Sequence, residues 1–411
     1  LSESYFRINA DGRSGTRLSD VEIGPRDSLF VYVEVTVDPT GQDLPLVIAD
    51  SVVFSLNNNV QDVKLVAWGQ DAHFIRPNYH DTVFDISYHR ITENTLWSGP
   101  KPYVIYGILW VEPNVTLEIA EGTNVHLHHR SGMIFRPRSS FKVKGSLENP
   151  VMIQGDRLEP AYRDIPGQWG YIWLMATSQE HEIDHAIIKN GTYGIVMDSI
   201  GSFTEPTLRL SNTLVTGMDQ TGLELNGAWV EAENLVVADC GVHAIKMQWG
   251  GNYSFKHTTV ANYYSWQGAI RQTPSVVINN YFVVEGTVYE RPIEQASFAN
   301  SIIYGSLQEE VLLDFFPDNS QAVFSFDHSL VRTSLNIDMP SHFQNSIFNQ
   351  NPRFVGTQDN DFRLMEDSPV IGVGSAEIAS DVPFDILGNS RAERVDLGAY
   401  QYYEIEEEEE E

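Results

Sequence analysis

The chain has 411 residues, 42 % of them apolar and 20 % charged, and its 56 acidic and 26 basic side chains give a formal net charge of −30. That composition supports a large buried core and excludes wholesale disorder. The acidity argues against nucleic acid or anionic lipid headgroups as partners, because both need clustered Lys and Arg. The single cysteine, Cys240, leaves no intramolecular disulfide framework and no Cys-rich zinc module.

No long stretch carries apolar residues at helical spacing with caps at both ends, and no run approaches the ~20 apolar residues of a membrane helix. Short β-branched and aromatic runs between Gly, Asn, Asp and Pro are everywhere, so the chain reads as all-β. Residues 1–95 form the first predicted unit. Leu29 to Val37 is a strand closed by Asp38-Pro39, and Asp50 to Leu56 is a second. Asn57-Asn58-Asn59 supplies a hairpin turn, and Val60 to Gly69 returns. Strands at this spacing predict an Ig-like β-sandwich.

Residues 96–350 change character. Ala186 to Asn190 leads to Gly194 to Met197, and Thr213 to Gly217 leads to Gly222 to Leu225. Asn234 to Ala238 leads to Ala244 to Met247, and Thr258 to Asn262 leads to Gly268 to Ile270. The small residue recurs at Gly194, Gly222, Ala244 and Gly268, in steps of 28, 22 and 24 residues. Short strands with no helices at this loose period predict a parallel β-helix, in which stacked coils bury each other's inward side chains. Leu109 to Val111, Thr116 to Ile119 and Asn124 to Leu127 read as the first coils, continued by Phe141 to Gly145, Pro150 to Gln154 and Gly167 to Leu174. Ser297 to Gly305 and Val323 to Val331 read as late ones. A solenoid ends on an open edge that needs a cap, which falls to the less repetitive 351–404. Residues 405–411 end in the acidic run Glu406 to Glu411, expected to be solvated.

Four blocks carry a resemblance. They are Asp361 to Leu364, Ser368 to Gly374, Asp385 to Arg391 and Asp396 to Gln401. In order and spacing they resemble the choice-of-anchor-Q-like C-terminal cap of right-handed parallel β-helix surface lipoproteins of Bacteroidota. Lys101 to Gly107, Gly155 to Arg157 and Pro166 to Trp169 are similar to the same proteins. The resemblance implies an Ig-like β-sandwich followed by a right-handed parallel β-helix with a C-terminal cap. It implies an outer-membrane, lipid-anchored protein at the cell surface whose anchor cysteine would precede Leu1. It implies partner subunits in an outer-membrane complex and no defined enzymatic activity. Asp27-Ser28-Leu29, Asp50-Ser51-Val52, Asp81-Thr82-Val83 and Asp198-Ser199-Ile200 resemble the O-glycosylation acceptor of that phylum.

Several motifs invite chemistry. His181-Glu182-Ile183-Asp184-His185 matches H-E-x-x-H, which needs a helix to bring both imidazoles to one zinc. Here it leads into a strand, where i and i+4 lie ~13 Å apart, so no zinc site is expected. His126 and His128 would share a strand face, at a spacing that a metal could use, with His129 beside them. Glycan lyases need a base and a carboxylate neutraliser, and pectin hydrolases a close carboxylate set. Lys189, Arg209, Lys246 and Arg271 are scattered, and Asp219, Glu224, Glu233 and Asp239 could line one face without standing out from solvated corners. Cys240 is expected to be a buried, inert thiol. No catalytic residue, cofactor or metal is assigned. Trp229, Trp249, Tyr253, Tyr263, Tyr264 and Trp266 are the candidate contacts, because exposed rings stack on sugars or anchor protein partners. The first reading is a non-catalytic scaffold binding partner proteins. A glycan-binding module is the alternative, and a polysaccharide lyase or hydrolase a further one.

Overall fold

The computed structural model describes residues 5–36, 46–57, 59–69, 71–200, 204–316 and 322–404. Asp38-Pro39, Asn58, Gln70 and the Glu406 to Glu411 tail lie outside the described residues. The chain divides into two compact units, Leu1–His73 and Phe74–Glu411.

In the first unit, Phe6–Ala10 pairs antiparallel with both Arg13–Gly15 and Val31–Val35. Leu46–Leu56 and Asn59–Gly69 form a long antiparallel hairpin, with Asn57 at φ +49° in its turn. The strand predicted from Leu29 is therefore shorter, and the hairpin longer, than their residue runs suggest. These two separate antiparallel sheets are what the described residues show in the unit expected to be a sandwich.

The second unit is a β-helix-like stack of parallel strands on three faces. Its strand Ile86–Ile91, within the first 95 residues, already pairs parallel with Ile108–Val111. The first face runs through Thr116–Ala120, Ser140–Lys144 and His181–Asp184. The second runs through Asn124–Leu127, Val151–Gly155 and Ala186–Lys189. Leu208–Met218 and Trp229–Cys240 pass unbroken round the corner between these two faces, joining them into one 19-stranded sheet. The third face is a separate 10-stranded sheet that includes Gly132–Phe135, Ile172–Leu174, Ile195–Asp198, Thr221–Asn226 and His243–Gln248.

Inward residues stack coil on coil. On the third face Leu109, Met133, Ile172, Ile195, Leu223, Ile245, Val276 and Val311 are in register and buried. On the first face Phe255, Phe298, Phe326 and Phe343 form a near-parallel ring stack with centroid steps of 4.7, 5.4 and 4.8 Å. Gly194, Gly222 and Ala244 do fall in register at the start of the third face, where a Cβ on Gly222 would lie 2.6 Å from Val237. Gly268 does not. The coil after Ala244 returns at Ser275, because Ser265–Trp266 and Ala269–Ile270 make a small hairpin loop that the steady period hid.

The corner between the first and second faces is a single left-handed residue in each of seven coils. His185, Asn212, Asn234, His257, Asn300, His328 and Asn345 occupy it, with φ from +43° to +49°. These are residue types that tolerate αL and can bond along the stack. Asn212 donates to Asp184 at 2.9 Å, and Asn234 to Asn212 at 2.9 Å.

Residues 351–404, the expected cap, pack along a flank. They run along the outside of the second face as a strap. Phe354, Phe362, Leu364, Val370, Leu397 and Ala399 pack on the outward side chains Val236, Ala238, Ala261, Ile302, Tyr304 and Leu330. The corner ladder fastens the strap. Ser375 donates its N–H to Asn300 Oδ1 at 2.8 Å, and Arg391 donates to Asn234 Oδ1 at 2.8 Å. Arg391 is buried and also donates to Val382 O, and burial lowers its pKa to about 10. The blocks that carried the resemblance are the strap's internal knots. Asp385 accepts from the N–H groups of Leu387, Asn389 and Gln401, and Asp396 from those of Gly372 and Tyr402. Leu335 and Met339, from the loop before the last coil, pack against the core cluster that ends at Phe343.

Candidate functional site: the open third face

Outward side chains of the third face stand in two columns set by strand register. The first column is Trp110, Ile134, Trp173, Val196, Glu224, Lys246, Val277 and Leu312. Two residues further along each strand, Asp198, Asn226 and Gln248 continue one another, as do Asn279 and Asp314. Strand pleat alone puts these side chains outward, opposite the buried aliphatic column.

The polar column is hydrogen-bonded along the stack. Trp173 Nε1 donates to Asp198 Oδ2 at 2.6 Å, and Asn226 donates to Asp198 Oδ1 at 3.0 Å. Asn279 donates to Asp314 at 3.1 Å, and the Tyr281 hydroxyl donates to both oxygens of the same carboxylate. Lys246 lies 3.5 Å from Glu224. Tyr88 stacks on Trp110 at 3.9 Å at the other end of the face, and Arg136 lies 5.2 Å from the Trp110 ring. Glu112 bridges Arg90 and Arg136 at 2.7 and 2.8 Å.

A cleft of about 280 Å³ opens where the hairpin Tyr281–Val284 and Thr287–Glu290 meets this face. Asp198, Glu224, Asn226, Gln248, Trp249 and Phe282 are among its lining residues. Trp249 sits at the corner after Gln248 with φ +60°. Its ring meets Phe282 edge-on at 4.9 Å, with the Arg291 guanidinium 4.7 Å from the ring centre. Phe282 stacks in turn on Tyr289 at 5.1 Å. Aromatic edges beside carboxylate and carboxamide groups suit a hydroxyl-rich ligand.

Five of the six candidate rings lie near the two edges of this face, and Tyr253 lies in the first-face strand Gly251–Lys256. Trp229 and Trp249 are at the corner leading to the first face, and Tyr263, Tyr264 and Trp266 follow the second-face strand that ends at Asn262. Tyr253 is 0 % exposed, and its hydroxyl accepts from Ala228 N and donates to Gly250 O. It belongs to the core and offers nothing to a ligand. Trp229, Trp249, Tyr264 and Trp266 are half-buried, and Tyr263 packs against the cluster under the strap. Phe282, Asp198 and Asn226 were not singled out from the sequence as contacts. The signal for Asp198 and Asn226 was their shared place two residues beyond the outward position of each strand.

The other motifs have structural occupations. His181 is buried, accepts from Phe141 N through Nδ1 at 3.0 Å, and meets Ser178 Oγ through Nε2 at 2.9 Å. Burial, and then the charge of Lys142, lowers its pKa to about 3. Glu182 points outward between Lys142 and Lys144, each at 2.9 Å, and His185 turns the corner beside Asp184. His126 rests on Gly155 O at 3.2 Å, and His128 on Asp156 at 2.7 Å. Asp219 and Asp239 lie where the second face turns to the third, Glu224 on the third face and Glu233 on the first, so these acids do not line one face. Burial raises Asp239 to about 6, although it accepts from Tyr263 N. Cys240 is buried beside it, its pKa raised to about 12 by burial. Arg271 and Glu310 form a fully buried ion pair at 2.7 Å, with the carboxylate also held by Ser275.

No protein-family model, curated protein or solved structure matches the chain.

Proposed function

We propose that this protein is a non-catalytic recognition module, a rigid coil that presents one uncovered face to a partner at the cell surface. The observation that carries this reading is the outward surface of the third face. It is a register-aligned array in which Trp, Glu, Lys, Asp and Asn side chains stand among the aliphatic Ile134, Val196, Val277 and Leu312, and its acids are already engaged by Trp173, Asn226, Lys246 and Tyr281. Groups held this way display a pattern and keep it rigid, which suits recognition. In this reading the chain is a lipid-anchored outer-membrane protein and an accessory subunit of a membrane complex. Its coil winds right-handed, and its first unit is an Ig-like spacer. The four strap blocks support those finer points by resemblance.

The test is a photo-crosslinking residue introduced at Val196 in the parent cell, on the open face. It should capture one defined outer-membrane protein, while the same residue at Val355 on the strap should capture none. Equal capture from both sites would contradict the reading.

The cleft at Trp249 and Phe282 favours a second reading, a glycan-binding module. A glycan array should then give hits that Trp249→Ala with Phe282→Ala abolishes at unchanged thermal stability. An array without hits would remove it.

A further inference from the structure

The longest coil of the third face runs from Met133 to Ile172, and its extra length forms a loop over the second face between Gly155 and Gly167, with a 3-10 turn at Pro160–Tyr162. Two carboxamides pin the loop. Gln168 Nε2 donates to Tyr162 O at 2.7 Å and to Ile165 O at 2.8 Å, and Asn190 Nδ2 donates to Arg163 O at 2.7 Å. Gly155 lies beneath it, where a Cβ would collide with the Gln168 side chain. Between loop and coil is a cleft of about 280 Å³, lined by Lys189, Arg163, Gln154, Gln168, Asn190 and Tyr162 among others.

Lys189 is the unusual member. It is half-buried on the coil, and burial holds its ammonium below the ordinary lysine range. Among the described residues no carboxylate lies within ion-pair distance of it; Asp164 acts on it only at longer range and is opposed by Arg163. Arg163 likewise makes no ion pair among the described residues, whereas Arg157 next to it is occupied by Glu159 at 2.9 Å and by the Tyr162 ring. In a chain of net charge −30, two neighbouring cations without a carboxylate partner are a local exception. A partly desolvated ammonium whose nearest counter-charge, Asp164, lies beyond ion-pair contact is left incompletely paired, and an anion in the cleft would complete it. Gln168 Oε1, also on the lining, is buried without a donor.

We propose that this cleft binds a small hydroxylated carboxylate, of the size and chemistry of a single sugar acid, with Lys189 as the charge anchor and Arg163 as the second cation. The Gln154 carboxamide, not spent on holding the loop, matches ligand hydroxyl groups. The site lies on a different face from the Trp249 cleft and does not depend on it.

Isothermal titration of the full chain with D-glucuronate, D-glucose and sodium sulfate separates the components. Glucuronate should bind, with sulfate weaker and glucose undetected. Lys189→Met should lose tenfold or more in affinity and Arg163→Gln less, both with unchanged melting temperature. Lys189→Arg should retain part of the affinity, which guards against a folding defect in the first variant. No heat with glucuronate, or equal affinity in Lys189→Met, would overturn the proposal. Sulfate binding as tightly as glucuronate would overturn the sugar-acid assignment.

Discussion

The second and third faces of the coil are built from the same stacked strands and the same aliphatic interior, yet their outer surfaces differ. The second is covered by residues 351–404, and its outward positions are Val236, Ala238, Ala261, Ile302 and Leu330. On the third face the equivalent positions mix apolar Ile134, Val196 and Val277 with Trp173, Glu224 and Lys246, the last three half-buried. A strand buried on both sides reads as a continuous apolar run, and one buried on a single side alternates. Asn234-Leu235-Val236-Val237-Ala238 is the first kind, and Gly222-Leu223-Glu224-Leu225 and Ala244-Ile245-Lys246-Met247 are the second. The chain thus uses one flank to hold itself together and leaves the other uncovered by the strap.

The sharpest way to break this comparison is to put the same charge on both faces. Val236→Lys buries an ammonium under the strap and should cost more than about 3 kcal/mol. Val196→Lys, beside Glu224 on the third face, should stay within about 1 kcal/mol of the parent protein. Urea unfolding of both variants checks this, and equal losses would mean that the second face is not sealed.

Phe362→Ala empties a fully buried ring position in the strap cluster. It should cost about 3–5 kcal/mol, and it should release the strap before the coil, seen as an early step in hydrogen exchange of residues 354–399. A single cooperative transition at the parent midpoint would contradict the strap's role.

A smaller effect concerns pH. His257 sits on the corner ladder, donating through Nδ1 to Gly398 O at 3.3 Å and accepting from Asn300 at 3.1 Å. Burial, with the Arg391 charge second, lowers its pKa to about 3. Its neutral form is the folded one, so its contribution is intact above the ordinary histidine value near ~6.5 and is lost as pH falls towards the folded value. Asp239, raised to about 6, works in the opposite sense, favouring the fold at the acid end of its range. His257→Asn, which tolerates the left-handed corner, should flatten the acid side of the stability–pH curve by about one proton. An unchanged slope would place the acid sensitivity elsewhere. Least of all, Arg209→Ala, which loses half-exposed contacts to Glu205 and Glu231, should change stability by only ~0–1 kcal/mol.

Much of this was legible in the residues. Short apolar runs and recurring small residues revealed the coil, because inward stacking demands an aliphatic at the same place in each turn. Gly268 misled because a hairpin loop interrupts the coil at a distance close to the period. The strap's four blocks marked the C-terminal segment, but their partners are Asn234, Thr259 and Asn300, far away in sequence, so nothing local showed that the segment lies along a flank. The candidate rings were chosen as loop aromatics. Tyr253 was misread because its alternation with Phe255 places it inside the coil. The Lys189 cleft was invisible, since it exists only where the loop from 156 to 167 folds back over a later coil.

Hydroxyl-radical footprinting of the intact protein tests the contrast most directly. Trp173 on the third face should oxidise rapidly, while Tyr304 beneath the strap and Phe362 and Tyr400 on the strap's inner side should be strongly protected. Labelling of Tyr304 and Phe362 as fast as Trp173 would contradict the account, because the second face would then be as open as the third.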